Sequence, residues 1–245
     1  MIVDVVVPAR NEAENLPALA EALRPLREAG VIRRVVLADN GSTDTTAELA
    51  RAAGFAVVHE PQPGYGAACL AGLAAMEADP PEAVAFLDAD LADDPQQLAG
   101  LIAPIAQGRA DLVLGQRARL AQRGALDPHQ RFGNWLASRL LRVITGQPYR
   151  DLGPMRVVRW RCLQRLAMAD RTWGWTVEMQ YKAARYGLRI QEIDVPYRKR
   201  HAGSSKISGS VAGSVRAGVK IVATLVQLWW TTPRRLPEPE AVGQR

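Results

Sequence analysis

Five short apolar runs recur along the first half of the chain, at Ile2–Val7, Val35–Ala38, Phe55–Val58, Val84–Leu87 and Asp111–Gly115. Stretches of helical periodicity separate them, at Leu16–Ala29, Thr45–Ala53, Ala67–Ala78 and Gln96–Gln107. A strand that is apolar at nearly every position has no water-facing side, so both of its faces must be covered. Alternating with helices, such strands predict an α/β fold with a mostly parallel central sheet and helices on both faces. Parallel strands are joined by right-handed crossovers, which bring every loop that follows a strand to one edge of the sheet. Asn11–Glu12, Asp39–Asp44 and Asp88–Asp90 all follow strands, so the pattern predicts that they converge on one crevice.

Beyond Gly115 the pattern loosens. The spacing predicts a helix over Arg131–Thr145, a turn around Gly153–Pro154, a helix over Thr176–Tyr186 and a last strand over Ile190–Val195. This divides the chain into a main domain of residues 1–207, with halves 1–115 and 116–207, a C-terminal amphipathic helix over 208–232 and a disordered tail over 233–245. The tail opens on Pro233 and carries Pro-Glu-Pro. No internal repeat is visible.

With 245 residues, 48% of them hydrophobic, the chain can bury a full core without a staple and is not intrinsically disordered. Cys69 and Cys162 lie far apart and form no CxxC pattern, which argues against a disulfide scaffold or a structural zinc site and suits a reducing compartment. The opening MIVDVVVPARNE has no basic n-region or cleavage site, so it reads as a buried strand rather than a signal peptide. The longest apolar candidate, Ala217–Trp230, has 14 residues and contains Lys220 and Gln227. A spanning helix needs ~20, so a cytoplasmic protein is expected.

Charge is segregated along the chain. Residues 1–100 carry 6 basic and 16 acidic side chains, and residues 101–245 carry 25 and 9. Between Val195 and Arg235 there are eight Lys or Arg and no Asp or Glu. Coding bias can explain why Arg outnumbers Lys, but not why the signs separate. The polarity suggests a metal or polyhydroxyl site in one half and anion handling in the other.

The sharpest local signal is Phe86-Leu87-Asp88-Ala89-Asp90. Carboxylates at i and i+2 at a strand end point to the same side and can share one divalent cation. Such an ion can bridge a diphosphate and stabilise the charge that develops as it leaves. The second signal is Asp39-Asn40-Gly41-Ser42-Thr43-Asp44, where Asn-Gly makes a tight turn and Ser42 or Thr43 can cap the next helix. Asp39 is not needed for the cap and is free to accept hydrogen bonds from a base or ribose. The third is Pro8-Ala9-Arg10-Asn11-Glu12 after the first strand. A dinucleotide enzyme would carry GxGxxG there and a P-loop protein GxxxxGK[ST]; both are absent. Gly64-Tyr65-Gly66 matches a glycine fingerprint only superficially.

Taken in order and spacing, these segments resemble the family 2 glycosyltransferases of the GT-A fold, and among them the polyprenyl (dolichyl) phosphate hexose synthases. The resemblance covers residues 1 to about 210 through Val5–Glu12, Asp39–Thr46, Pro63–Ala68, Phe86–Leu91, Gly115-Gln116-Arg117, Asp151, Glu178 and the pattern of Arg200, Gly203, Ser205 and Lys206. It implies a nucleotide-sugar half, 1–115, and an acceptor half, 116–207. Pro8, Ala9, Glu12 and Asp39 then form the pocket for the donor's base and ribose. Arg10, Asn11, Asn40, Gly41, Gly66 and Ala89 join them from the same segments. Asp88 and Asp90 hold Mg²⁺ or Mn²⁺ and the diphosphate. Arg117, Arg200 and Lys206 hold donor diphosphate or acceptor phosphate, for which guanidinium geometry is suited. Arg131, with Asn134 one turn on, matches the position that meets the acceptor phosphate.

Two departures stand out. Relatives often carry a metal-holding glutamine two residues after the acidic pair, where this chain has Ala92 followed by Asp93-Asp94-Pro95. Asp94 suits the N-terminus of the next helix, while Asp93 could serve the helix or the ion. Gly153-Pro154-Met155 replaces a Cys-Gly-Phe-like stretch on the acceptor side.

The implied reaction inverts the anomeric centre in a single displacement. A phosphate acceptor is already anionic and needs positioning more than a base. A hydroxyl acceptor needs a base, and Asp151 or Glu178 could supply it. Glu178 lies among Trp173 and Trp175, which could stack on a sugar or simply pack. His59, His129 and His201 are isolated in the sequence. On the C-terminal helix Val211, Val215, Val219, Val222, Val226 and Trp230 share a face, and Ile221, Leu225 and Leu228 widen it. With Trp229, Trp230, Arg234 and Arg235 at its end, that helix suits either a bilayer surface with anionic lipid or burial against the domain.

The expectation is therefore a metal-dependent hexosyltransferase using a nucleotide sugar, UDP-glucose or GDP-mannose, and polyprenyl phosphate, peripheral on the cytoplasmic membrane face. The alternatives are the same chemistry with a water-soluble hydroxyl acceptor, or a non-catalytic binding module for nucleotide sugar or nucleic acid. No recognition helix or aromatic-and-basic RNA motif supports nucleic acid.

Overall fold

Successive residues of β1 (Val3–Ala9) face opposite sides of the sheet, and both sides are dry: Val5 and Val7 enter one hydrophobic cluster and Val6 the other. The same division runs through β4 (Ala83–Phe86), where Ala83 and Ala85 join the first cluster and Val84 and Phe86 the second. This two-sided burial is what uninterrupted apolar strands require. The computed structural model describes residues 1–203 and 222–232.

With β2 (Arg34–Asp39), β3 (Ala56–His59), β5 (Leu112–Gln116), β6 (Arg156–Arg159) and β7 (Ile190–Asp194), these strands form one seven-stranded sheet in the order β3-β2-β1-β4-β6-β5-β7. All neighbours are parallel except β6, which runs antiparallel to β4 and β5. Helices α1 (Leu16–Glu28), α2 (Thr46–Ala52) and α4 (Leu98–Ala106) pack on the first cluster. Helices α3 (Tyr65–Ala74), α5 (Pro128–Thr145), α6 (Trp160–Leu166) and α7 (Trp175–Arg185) pack on the second. On α1 the buried residues are Leu16, Leu19, Leu23 and Leu26, a single stripe at helical spacing.

Asp4 is the only charge in β1 and is fully buried. Arg33 and Arg34 satisfy it at 2.7 and 2.8 Å, so the anion is paired rather than stranded.

The five apolar runs become β1 to β5, with ends shifted by one or two residues. Pro8 and Ala9 belong to β1 rather than to the loop after it. Two elements, β6 and α6, are not foreshadowed by the periodicity, because Arg156-Val157-Val158-Arg159 is a four-residue run flanked by arginines. The parallel order is therefore interrupted: β5 pairs with β6 and not with β4. Ser42 and Thr43 do not cap α2; the Asp44 carboxylate accepts from the Thr46 backbone N–H instead. Asp94 does sit at a helix start, accepting from Gln96 N at 3.1 Å.

Residues 222–231 are helical, with Leu225 and Leu228 buried in the second cluster and Val222, Val226, Trp229 and Trp230 exposed. One side of this helix is thus packed against the domain and the other faces outward. The rest of the expected C-terminal helix, the tail over 233–245, Ser205 and Lys206 lie outside the described residues. Among the described residues no helix is long and apolar enough to cross a membrane.

Gly72 of α3 packs directly on β1, where an added Cβ would come within 2.7 Å of Val6 Cγ1. Gly72→Ala is expected to lower unfolding free energy by about 1–2 kcal/mol, overpacking outweighing the gain in helix propensity. Urea denaturation checks this, and a Val6→Ala background should shrink the loss.

Candidate active site

Two loops build one wall of the site. The loop after β1 and the loop after β2 are tied together by Asn11 N to Ser42 Oγ (2.9 Å), Glu12 N to Thr46 Oγ1 (2.8 Å), Ala13 N to Asp44 Oδ2 (3.2 Å) and Thr43 N to Asn11 Oδ1 (2.7 Å). Asn11 takes a positive φ of 52°, a conformation Asn tolerates better than most residues. The hydroxyls and Asn11 therefore stitch loops rather than face the cavity.

The loop before α3 is fixed by Asn40, whose side chain donates to Glu60 O (3.0 Å) and Gln62 O (2.8 Å) and accepts from Gly64 N (2.7 Å). Gly64 and Gly66 serve close backbone approach. A Cβ on either would lie 2.0 Å from a carbonyl oxygen, of Arg171 and Asp170 respectively. Gly66 N donates to Thr172 O and Ala67 N to Arg171 O, so the 170–173 segment lies against this loop. That contact delivers Thr172 and Trp173 to the site, which sequence spacing did not foreshadow for Thr172.

The result is a cavity of about 570 Å³ lined by Pro8, Ala9, Arg10, Glu12, Asn40, Pro63, Gly64, Tyr65, Ala68, Asp88, Ala89, Asp90, Thr172, Trp173 and Arg200. The three strand-end segments thus do converge. Asn11, Asp39, Gly41 and Gly66 stand behind this lining rather than in it. Asp39 is buried, accepts from Ser42 N at 3.2 Å and lies 3.2 Å from His59 Nδ1, so His59 is not isolated. Of the two tryptophans flanking Gly174, Trp173 lines the cavity and Trp175 is buried edge-on against Phe86.

Asp88 Oδ1 accepts from the Tyr65 hydroxyl at 3.2 Å. Asp90 Oδ2 pairs with Arg200 at 2.9 Å, and Asp90 Oδ1 accepts from Ala92 N. Burial, and then the charge of Asp90, push the Asp88 carboxyl up to about 7. Two crowded carboxylates on a cavity wall are the oxygen donors a hard divalent cation uses, and a cation would relieve their repulsion. Among the described residues no third His, Cys, Asp or Glu completes a metal-holding group with them. Asp93 is buried with neither oxygen bonded, and burial above all pushes its carboxyl up to about 8.

The other expected cations and acids sit differently. Arg117, at the end of β5, donates to Asp151 Oδ2 from both its backbone N (2.7 Å) and Nε (2.9 Å), and to Oδ1 from Nη2 (3.0 Å). Its guanidinium lies 4.9 Å from the Tyr197 ring centroid. Burial alone would raise the Asp151 carboxyl, but Arg117 holds it below the usual range. Glu178 is buried and engaged by Lys182 (2.7 Å) and by the backbone N–H groups of Ala169 and Asp170. Neither acid lines the cavity. Arg131 lines a second cavity of about 580 Å³, while Asn134 ties α5 to the following loop by accepting from Leu152 N at 2.8 Å.

The family described as Glycosyl transferase family 2 matches residues 4–166. An uncharacterized glycosyltransferase of Mycobacterium tuberculosis is 43% identical over 216 residues, 88% of this chain and 94% of that protein. An undecaprenyl-phosphate mannosyltransferase of Micrococcus luteus is 30% identical over 230 residues, 89% of this chain and 93% of its own. Among solved structures, glucosyl-3-phosphoglycerate synthase of Mycobacterium tuberculosis with Mn²⁺, UDP-glucose and phosphoglyceric acid superposes with a TM-score of 0.73 at 22% identity. That likeness covers 97% of this chain and 81% of the other, and it shows the fold.

The buried Arg117–Asp151 pair carries a prediction that does not depend on ligands. Removing Arg117 leaves Asp151 charged and dry, so Arg117→Ala should cost about 3 kcal/mol of stability. Chemical denaturation at neutral pH measures it, and Arg117→Ala/Asp151→Ala together should cost less than the sum of the singles.

Proposed function

The chain belongs to glycosyl transferase family 2, and from that premise we propose that it moves a hexose from a nucleoside-diphosphate sugar to a polyprenyl phosphate. The observation that carries the proposal is the pair Asp88 and Asp90 in the wall of the 570 Å³ cavity, with Arg200 beside them. Pro8, Ala9, Glu12 and Asn40 would wall the base and ribose, and Trp173 offers a flat apolar face for the sugar. Asp88 and Asp90 would hold Mg²⁺ or Mn²⁺, which when bound compensates the charge of the departing diphosphate. Arg200 needs only to exchange one anion for another, turning from Asp90 to a phosphate oxygen.

The pairing of the acids supports a phosphate acceptor. A hydroxyl nucleophile needs a base, yet Asp151 is clamped by Arg117 and Glu178 by Lys182 and backbone N–H groups. A phosphate brings its own negative oxygen. That oxygen attacks the anomeric carbon from the face opposite the diphosphate, forming one C–O bond as the other breaks, with inversion. The similar undecaprenyl-phosphate mannosyltransferase supports the same acceptor class. Arg131, exposed at the start of α5, would meet the acceptor phosphate.

The test is a transfer reaction with the purified chain, Mg²⁺ or Mn²⁺, and a panel of UDP- and GDP-sugars, with and without a short-chain polyprenyl phosphate in detergent. Lipid-dependent release of UDP or GDP, with label moving to the organic phase, is the expected result. Donor turnover indifferent to the lipid would move the acceptor to a water-soluble hydroxyl. Asp90→Asn should lower transfer on the order of a thousandfold at unchanged thermal stability. A variant that keeps full turnover would remove these carboxylates from the chemistry.

A further inference from the structure

Helix α5 turns an unusual face to solvent. Arg131, Phe132, Trp135, Arg139, Arg142 and Val143 are all exposed and fall within an arc of about 120° on a helical projection. Phe132, Trp135 and Val143 are 62%, 59% and 75% exposed, so three large apolar side chains stand mostly in water on one helix. The two rings lie 5.8 Å apart and form a continuous apolar ridge. An outward helix face is ordinarily polar and mixed in sign, but α5 has three arginines and no Asp or Glu.

The groove beside this ridge repeats the bias. Its lining includes Arg123, Arg131, Arg139, Arg142 and Arg150, again with no acid. Arg150 is paired with Glu192 at 3.0 Å and Asp194 at 3.4 Å. Among the described residues no carboxylate forms an ion pair with the other four.

We propose that this face of α5 docks on an anionic lipid bilayer, with Phe132 and Trp135 in the interfacial region and Arg139 and Arg142 against phosphate headgroups. Aromatic rings flanked by arginines on a helix lying flat are the composition that such an interface selects. Each basic side chain near an anionic surface adds to the attraction independently of sequence. A second copy of the chain fits less well, since a two-fold contact would set arginines against arginines. The helix at 222–231 also exposes tryptophans, whereas on α5 exposed rings and exposed arginines share one described face. The docking is assigned to α5. It does not rest on the acceptor proposed above, and its test involves no transfer reaction.

The full chain is mixed with vesicles of phosphatidylcholine, or of phosphatidylcholine with phosphatidylglycerol, and the bound fraction is measured by co-sedimentation. Binding to the anionic vesicles only, weakened by salt, is expected. Arg139→Gln/Arg142→Gln should reduce partitioning by about thirtyfold, and Phe132→Ala/Trp135→Ala should also abolish most of it. All four side chains are exposed, so circular dichroism should show both variants folded and nucleotide-sugar binding should match the parent chain. The proposal is overturned if the parent chain ignores anionic vesicles, or if both variants bind like the parent. It is equally overturned if binding disappears only on Trp229→Ala/Trp230→Ala. A parent dimer that Phe132→Ala/Trp135→Ala converts to monomer, with no vesicle binding, would reassign the face to self-association.

Discussion

Strands β1, β2 and β4 lie side by side and run in the same direction, β1 in the middle. Their C-terminal ends are therefore held within a few ångströms of one another by backbone hydrogen bonds, whatever the loops contain. Everything in the site depends on that. Pro8 and Ala9 come from the end of β1, Asn40 from just past β2, and Asp88 and Asp90 from just past β4. Because the strands are buried on both faces, a register slip would exchange the side chains packed against the two helix layers and misfit both, which makes the placement rigid.

The antiparallel strand β6 extends this edge in a way a purely parallel sheet could not. Since it runs against its neighbours, its start and not its end lies at the functional edge, with Arg156 paired opposite Phe86. The segment leading into β6 brings Asp151 alongside Arg117 at the end of β5. Gly153 lets that segment pass close to β5, where a Cβ would lie 2.6 Å from Gly115 O. The Arg117–Asp151 pair thus fastens the segment before β6 to the end of β5 rather than offering free charges to a ligand.

Charge near the site is arranged in layers. Asp88 and Asp90 face the cavity, Arg200 closes on Asp90 from the far end of the described domain, and Arg117 neutralises Asp151 behind them. Burial of Asp93, with no partner for either oxygen, pushes its carboxyl upward. Away from this edge Arg131, Arg139 and Arg142 of α5 line a groove that has no Asp or Glu in its wall.

The sequence by itself determined the strand–helix alternation, the face-to-face burial and the meeting of the β1, β2 and β4 termini, because strand periodicity and crossover handedness are local rules. It also determined the DxD pair and the family, since these rest on short contiguous segments. Tertiary structure alone decided what each polar side chain does there. Asp151 and Glu178 look alike as acids in the sequence, yet one is clamped by an arginine and the other by a lysine and two backbone N–H groups. Asn11 and Gly66 match donor-side positions in the sequence, and what they pack against, Ser42 and Asp170, lies 31 and 104 positions away. Partnerships at that separation depend on which surfaces the packed helices bring together, and no spacing rule along the chain carries that information.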